Sequence, residues 1–245
     1  MQLENIYFYF KSALTPEQCQ RIIDLGNSKI FSGGTTFGKT EKDEMPDAKP
    51  INDKTFSDLD VEKNQEVLKN TYTRDSEVSW IDEQWVYDLL SPYLEEANKK
   101  AGWHYDYDWS ESIQFTKYGV NQFYGWHSDS GSCHNSVYKR LIPGVTPKEE
   151  LEKNPMQYVT NKNIIGKMRK LSMTVNLMPE GSYKGGNLKF DFGPHSHGKR
   201  YHECVEIRPQ GSVIVFPSYI YHQVTPVTEG TRYSLVMWTL GKPFK

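Results

Sequence analysis

Apolar and polar positions follow two regimes along this chain, and the change falls near Ser112. Before it, IYFYF at residues 6–10 predicts a short strand. Thr15-Pro16-Glu17-Gln18 then predicts a helix start, because Thr15 can cap, Pro16 suits the first helical position and Gln18 can close a capping box. Residues 32–75 are polar and rich in breakers, which predicts a long surface excursion leading to one edge strand near TYTRDSEVSW. WVYDLLSPYLEEANKKAG, from Trp85, predicts a helix with Leu89, Leu90, Tyr93, Leu94 and Ala97 on its apolar face and a kink or restart at Ser91-Pro92.

From Ser112 onward the runs shorten to strand length: SIQFTKY, NQFYGWHSD, KLSMTVNLM, NLKFDF, CVEIRP, SVIVFP and RYSLVMWTL, separated by PEG, KGG, FGP and RPQG. Short strands between turn signals predict a sandwich or barrel in this half, so the chain is mainly β with supporting helices. Residues 130–170 interrupt the pattern. Thr146-Pro147-Lys148-Glu149 offers a second capping box there, for a short helix ended by Pro155, and so long an insertion in a β domain reads as a lid over a site. The organisation expected is a supporting region, 1–111, and a β core, 112–245, carrying the 130–170 insertion.

Charge and cysteine usage narrow the setting. Residues 41–112 hold 19 Asp/Glu against 8 Lys/Arg, a balance of −11, whereas 130–170 hold 8 Lys/Arg against 3 Glu, a balance of +5. An anionic partner would therefore meet the insertion. The 3 cysteines share no close spacing, so no disulfide framework or C-x-x-C motif is expected, which fits a reducing compartment. No apolar run approaches the ~18 residues of a membrane span. The expectation is a soluble, cytoplasmic protein with no membrane partner.

The chemistry starts at FYGWHSDSGSC. Residues i and i+2 of a strand share a face, so His127 and Asp129 can converge on one ion. Alone, the pair reads as the polar end of a strand. His222, which follows the apolar strand SVIVF, supplies a third ligand. Two imidazoles and one carboxylate make the facial triad that leaves open positions on Fe(II). Arg232 follows at the start of the last strand.

YGVNQFYGWHSD, then Gly185-Gly186-x-Leu188, then His222-x-Val224-x-Pro226-Val227-x-x-Gly230-x-Arg232 together resemble the prolyl 4-hydroxylase-like branch of the iron(II)/2-oxoglutarate oxygenases. The resemblance covers roughly Ser112 to Leu240 and implies a double-stranded β-helix (jelly-roll) core. It implies that His127, Asp129 and His222 hold Fe(II), that Arg232 pairs with the distal carboxylate of 2-oxoglutarate, and that Tyr118 hydrogen-bonds that cosubstrate. Ascorbate would serve as reductant. On LSMTVNLM the polar residues alternate with apolar ones, which makes Thr174 and Asn176 candidates for the pocket wall; Tyr124 and Trp238 are candidates on the substrate side. The implied activity is hydroxylation of an unactivated C–H bond, with a prolyl residue of a peptide or protein first and a small molecule next. Asp129 favours hydroxylation over halogenation, because related halogenases lack that carboxylate. One position departs from the pattern: Asn121 stands where the family usually has glycine between the two tyrosines, and asparagine tolerates the left-handed backbone such a turn needs.

Three rival readings deserve comparison. A cupin-like metal-binding protein without catalysis leaves Arg232 unexplained. A nucleic-acid oxygenase would use the basic insertion, yet the aromatic and basic interleaving that stacks bases is missing, so nucleic acid is not expected as partner. His195, His197, His202 and Cys204 are a rival zinc cluster, but their spacing is not that of a usual zinc module, and the segment reads as a solvated hairpin loop.

Overall fold

In the computed structural model, which describes residues 5–33, 74–130, 136–153, 157–193 and 200–244, the chain opens with β1 (Phe8–Phe10), α1 (Pro16–Ser28) and β2 (Ser32–Gly33). β3 (Arg74–Asp75), β4 (Glu77–Ile81), α2 (Gln84–Lys100) and β5 (Trp109–Ser110) lead into β6 (Ile113–Tyr118) and β7 (Phe123–His127). The insertion holds β8 (Lys139–Arg140), α3 (Lys148–Lys153) and β9 (Tyr158–Val159). Strands then dominate: β10 (Met168–Asn176), β11 (Tyr183–Gly185), β12 (Leu188–Asp191), β13 (Tyr201–Glu203), β14 (Val213–Pro217), β15 (Tyr221–Val224), β16 (Val227–Gly230) and β17 (Arg232–Gly241).

Two antiparallel sheets organise these strands. The larger runs β1-β14-β10-β17-β6-β4-β2, with β5 beside β17, and the smaller runs β13-β12-β15-β7-β3. Strands from the first 111 residues thus extend the same sheet as the core strands. Leu188 and Phe190 of the smaller sheet pack with Ile214 and Phe216 of the larger. On its other face the larger sheet buries Leu171, Met173, Val175, Leu235 and Met237 with Ile22, Leu90 and Leu94 of the helices.

β10 shows why this arrangement makes a site. Its odd positions enter the apolar core, so period-two alternation turns Ser172, Thr174 and Asn176 toward the smaller sheet, and all three are buried. The sheets therefore enclose polar groups that must find partners.

The helices form for local reasons. The Thr15 hydroxyl accepts from the Gln18 N–H and the Gln18 side chain accepts from the Thr15 N–H, closing the expected capping box. Pro92 neither breaks nor restarts α2: Ser91 Oγ donates to the Tyr87 carbonyl at 2.7 Å, and Val86, Leu90, Leu94 and Ala97 pin both halves to one core. CVEIRP was expected as a strand and is instead a 3-10 turn, Val205–Ile207. Cys204 and Ile207 enter the same apolar cluster, and a three-residue step to one side needs a turn. Asn121 adopts φ +67°, so the left-handed position of the turn between β6 and β7 is filled without glycine. The Thr146 hydroxyl accepts from the Ile142 N–H, and α3 begins just after it. The excursion between 34 and 73, Pro155, and His195 with His197 lie outside the described residues. Among the described residues no helix is long and apolar enough to cross a membrane.

Gly26 marks a close approach of α1 to the sheet. A Cβ there would stand 2.4 Å from Cγ of Phe115, a ring stacked on Tyr233. Gly26→Ala is expected to destabilise the fold by about 1–3 kcal/mol, the usual cost of overpacking, read as a lower denaturant midpoint with an unchanged slope.

Candidate metal and cosubstrate site

β7 and β15 bring two histidines face to face. His127 and His222 are register partners, with ring centroids 4.2 Å apart. β7 ends at His127, so Asp129 sits in the following turn rather than on the strand itself. That turn is held by the Ser130 N–H, which donates to the Ser218 carbonyl at 3.0 Å.

The three ligand atoms lie within 4.8 Å of one another, and among the described residues this is the metal-capable group of His, Cys and carboxylates. His127 Nε2 is 3.6 Å from Asp129 Oδ1, and His222 Nε2 is 3.6 Å from Asp129 Oδ2. Such separations are too long for hydrogen bonds and suit groups that share an ion. Each imidazole donates its Nδ1–H to a carbonyl two residues earlier, Gly125 at 2.8 Å and Ile220 at 2.9 Å. A carbonyl can only accept, so both Nε2 lone pairs are left facing the site.

Electrostatics favour the ligand forms. Burial works to raise the Asp129 pKa, but His222, His127 and Arg169 outweigh it and hold the carboxyl well below the usual range. Burial, with His127 adding, pushes the His222 imidazole down to about 4. Near neutral pH the pair is a carboxylate and a neutral imidazole. Asp129 Oδ2 is buried without a hydrogen-bond partner. An ion between the three groups answers that orphaned oxygen, so the residues fit Fe(II).

The second orphan is a cation. Arg232 is 1% exposed; its Nη1 donates to Ser234 Oγ at 3.0 Å, and its Nε is buried with no partner. No carboxylate pairs with it among the described residues. Its guanidinium lies 5.4 Å from the Tyr118 ring centroid, and the two residues are register partners on β17 and β6. A buried, unpaired guanidinium is costly, and a dianionic cosubstrate would satisfy it. The glycine motif makes room for this side chain. A Cβ on Gly186, where φ is +59°, would meet Arg232 Cδ at 2.9 Å, and one on Gly185, where φ is +68°, would meet the Pro226 carbonyl oxygen at 2.2 Å.

The remaining candidates divide. Thr174 is 7% exposed on the polar face of β10, opposite Val236. Asn176 is committed elsewhere: its amide donates to the Met178 and Arg208 carbonyls and accepts from the Met178 N–H and the Tyr183 hydroxyl. It braces the end of the sheet and offers no free donor to a ligand. Tyr124 lies flat on His127, with centroids 3.5 Å apart and planes at 7°. Trp238 is buried under Arg169, whose guanidinium is 3.9 Å from the ring centroid, and its Nε1 has no partner.

Two side chains at the site were not singled out from sequence. Arg74 covers the other face of Tyr124 at 4.5 Å, donates to Ser76 and Gln114, and keeps Nη2 buried without a partner. Arg169 pairs at two points with Glu111, at 2.8 and 2.6 Å, and reaches the Asp129 carbonyl at 3.3 Å. Sequence parity puts Arg169 on the opposite face from Ser172 and Thr174. A register shift between Arg169 and Leu171 turns it inward, and no sequence signal announces such a bulge. His202 and Cys204, from the zinc alternative, serve other contacts: His202 Nε2 bonds the Tyr7 hydroxyl at 2.9 Å and Cys204 is buried in the apolar cluster.

Residues 113–240, more than half of the chain, match the model of the 2OG-Fe(II) oxygenase superfamily, and the chain belongs to that family. A PKHD-type hydroxylase of Alteromonas mediterranea is 32% identical over 124 residues, covering 51% of this chain and 41% of that protein. A PKHD-type hydroxylase of Hyphomonas neptunium is 40% identical over 68 residues, 28% of this chain and 27% of that protein. The match thus spans less than half the length of these curated relatives. Among solved structures, the viral collagen prolyl hydroxylase of Paramecium Bursaria Chlorella virus-1 superposes with a TM-score of 0.56 at 15% identity, over 97% of both chains. A Pseudomonas putida prolyl-4-hydroxylase gives 0.52 at 13% identity, over 96% of this chain and 92% of that one. A Trichoplax adhaerens prolyl hydroxylase, solved with a hypoxia inducible factor peptide, gives 0.56 at 14% identity, over 96% and 84%. The shared fold is the jelly roll.

Gly185→Ala and Gly186→Ala should both lower stability, through a left-handed backbone that costs an L-residue about 1–2 kcal/mol and through the contacts above. Gly185→Ala is expected to be the worse, because it strikes backbone; thermal melts of the two variants compare them.

Proposed function

We propose that this chain is an Fe(II)- and 2-oxoglutarate-dependent hydroxylase acting on a C–H bond of a peptide or protein residue, proline foremost. The observation that carries the reading is the paired deficit between the sheets: a buried carboxylate oxygen without a partner among two aimed imidazoles, and a buried guanidinium without an anion among the described residues. The family match and the hydroxylase names of the relatives support it. A metal-binding protein without catalysis would have no use for Arg232.

His127, Asp129 and His222 hold the metal, which when bound supplies oxygen activation coupled to decarboxylation of 2-oxoglutarate. Arg232 binds the far carboxylate and sets the cosubstrate's direction, with Tyr118 above the guanidinium and Thr174 on the adjoining wall. Tyr124 keeps the His127 ring from rotating. Trp238 and Tyr124 bound the space where the substrate enters, and the insertion, tied to Glu111 by the Tyr138 hydroxyl at 2.8 Å, closes beside it. Ascorbate serves as reductant. Cys19 and Cys204 are buried free thiols, which suits a reducing, cytoplasmic setting.

His127→Ala, Asp129→Ala and His222→Ala should each abolish succinate formation from 2-oxoglutarate. Normal turnover in all three would refute the metal site. Arg232→Ala removes a charge-assisted contact of about 1.5–3 kcal/mol, which raises the 2-oxoglutarate requirement roughly 10- to 100-fold while Fe(II) binding persists. Arg232→Lys should fall between, having charge without the fork. Titrating 2-oxoglutarate against succinate release, with metal binding followed separately, decides both.

A further inference from the structure

A groove of about 810 Å³ opens between α2, residues 107–112 and the insertion, and one end reaches Arg169. Arg169 covers Trp238 and bonds the Asp129 carbonyl, so the groove begins where the enclosed site ends. Its volume is that of a ligand site.

The lining is aromatic and acidic. Trp80, Tyr87, Tyr107, Trp109 and Tyr138 supply five rings, among the carboxylates of Asp82, Asp108 and Glu111. Trp80 and Trp109 are 42% and 38% exposed, and large exposed rings along a groove mark a contact surface. Glu111 is answered by Arg169. Lys167 places its ammonium 2.7 Å from Asp108 Oδ1 and 5.8 Å from the Trp109 ring centroid, so this corner of the groove already holds one amino cation of the chain itself. Asp82 stands exposed beside Trp80. Trp80, Asp82, Asp108 and Trp109 all precede residue 113, where the family match begins, so this wall lies outside the matched segment.

We propose that the groove docks a cationic, Lys- or Arg-bearing stretch of an extended peptide, which delivers a neighbouring residue to the metal. The inference rests on the peptide hydroxylase reading above and names the charge of the substrate. An ammonium or guanidinium over an indole gains roughly 0.5–2 kcal/mol, and a carboxylate beside the ring adds direction. A polyanion would face the same carboxylates at a loss.

Labelled peptides with a common Ala-Pro-Gly centre and Lys/Arg, Gln or Glu flanks, titrated by fluorescence anisotropy into the full chain without metal, test this. The cationic peptide should bind at least tenfold more tightly than the acidic one at low salt, and added salt should shrink the difference. Asp82→Asn and Trp109→Ala should each cut the preference several-fold, with thermal melts confirming folded variants. Equal binding of the three peptides, a preference unaltered in both variants, or tighter binding of a single-stranded oligonucleotide than of the cationic peptide would overturn the proposal. Metal-dependent binding of 2-oxoglutarate by the wild-type chain, titrated without peptide, reports on metal and cosubstrate alone, so its absence refutes the hydroxylase reading independently of what the peptides do.

Discussion

A guanidinium buried between two sheets, with no carboxylate paired to it among the described residues, constrains much of this structure. Arg232 reaches that position because β17 is central in the larger sheet and alternates its faces, sending Leu235 and Met237 to the helices and Arg232 and Ser234 to the other side. Desolvating such a charge costs several kcal/mol unless something answers it. Ser234 and the face of Tyr118 answer part. The rest is available to an anionic ligand. The left-handed Gly186 follows from the same demand, since a side chain there would occupy the path of the arginine.

The candidate metal-binding side chains are held by a different means. Their rings are oriented by backbone carbonyls of their own strands, and His127 is further fixed in a stack of Arg74, Tyr124 and imidazole. Rigid strands and short hydrogen bonds keep the donors in place before any ion arrives, which lowers the reorganisation that binding would need. Arg169 links this centre outward. It touches the Asp129 carbonyl, Trp238 and Glu111, and Glu111 in turn receives the Tyr138 hydroxyl of the insertion. Movement at Tyr138 therefore reaches Asp129 through Glu111 and Arg169.

Residue type and spacing made the candidate group of His127, Asp129 and His222 legible, with Arg232 after it, the capping box of the first helix and the strand-rich second half, because each depends on local chemistry or on a short period. His127 and Asp129 are two residues apart, and the polar face of β10 is visible in Ser172, Thr174 and Asn176. Tertiary structure decided the rest. A bulge at residue 170 reversed the facing of Arg169, and neighbouring carbonyls claimed Asn176 for bracing. Packing held Pro92 within one helix and made CVEIRP a turn. Arg74 joined the site from a segment with no motif, through pairing of β3 with β7. Contacts between distant segments carry no period along the chain, so only the folded molecule shows which side chains meet.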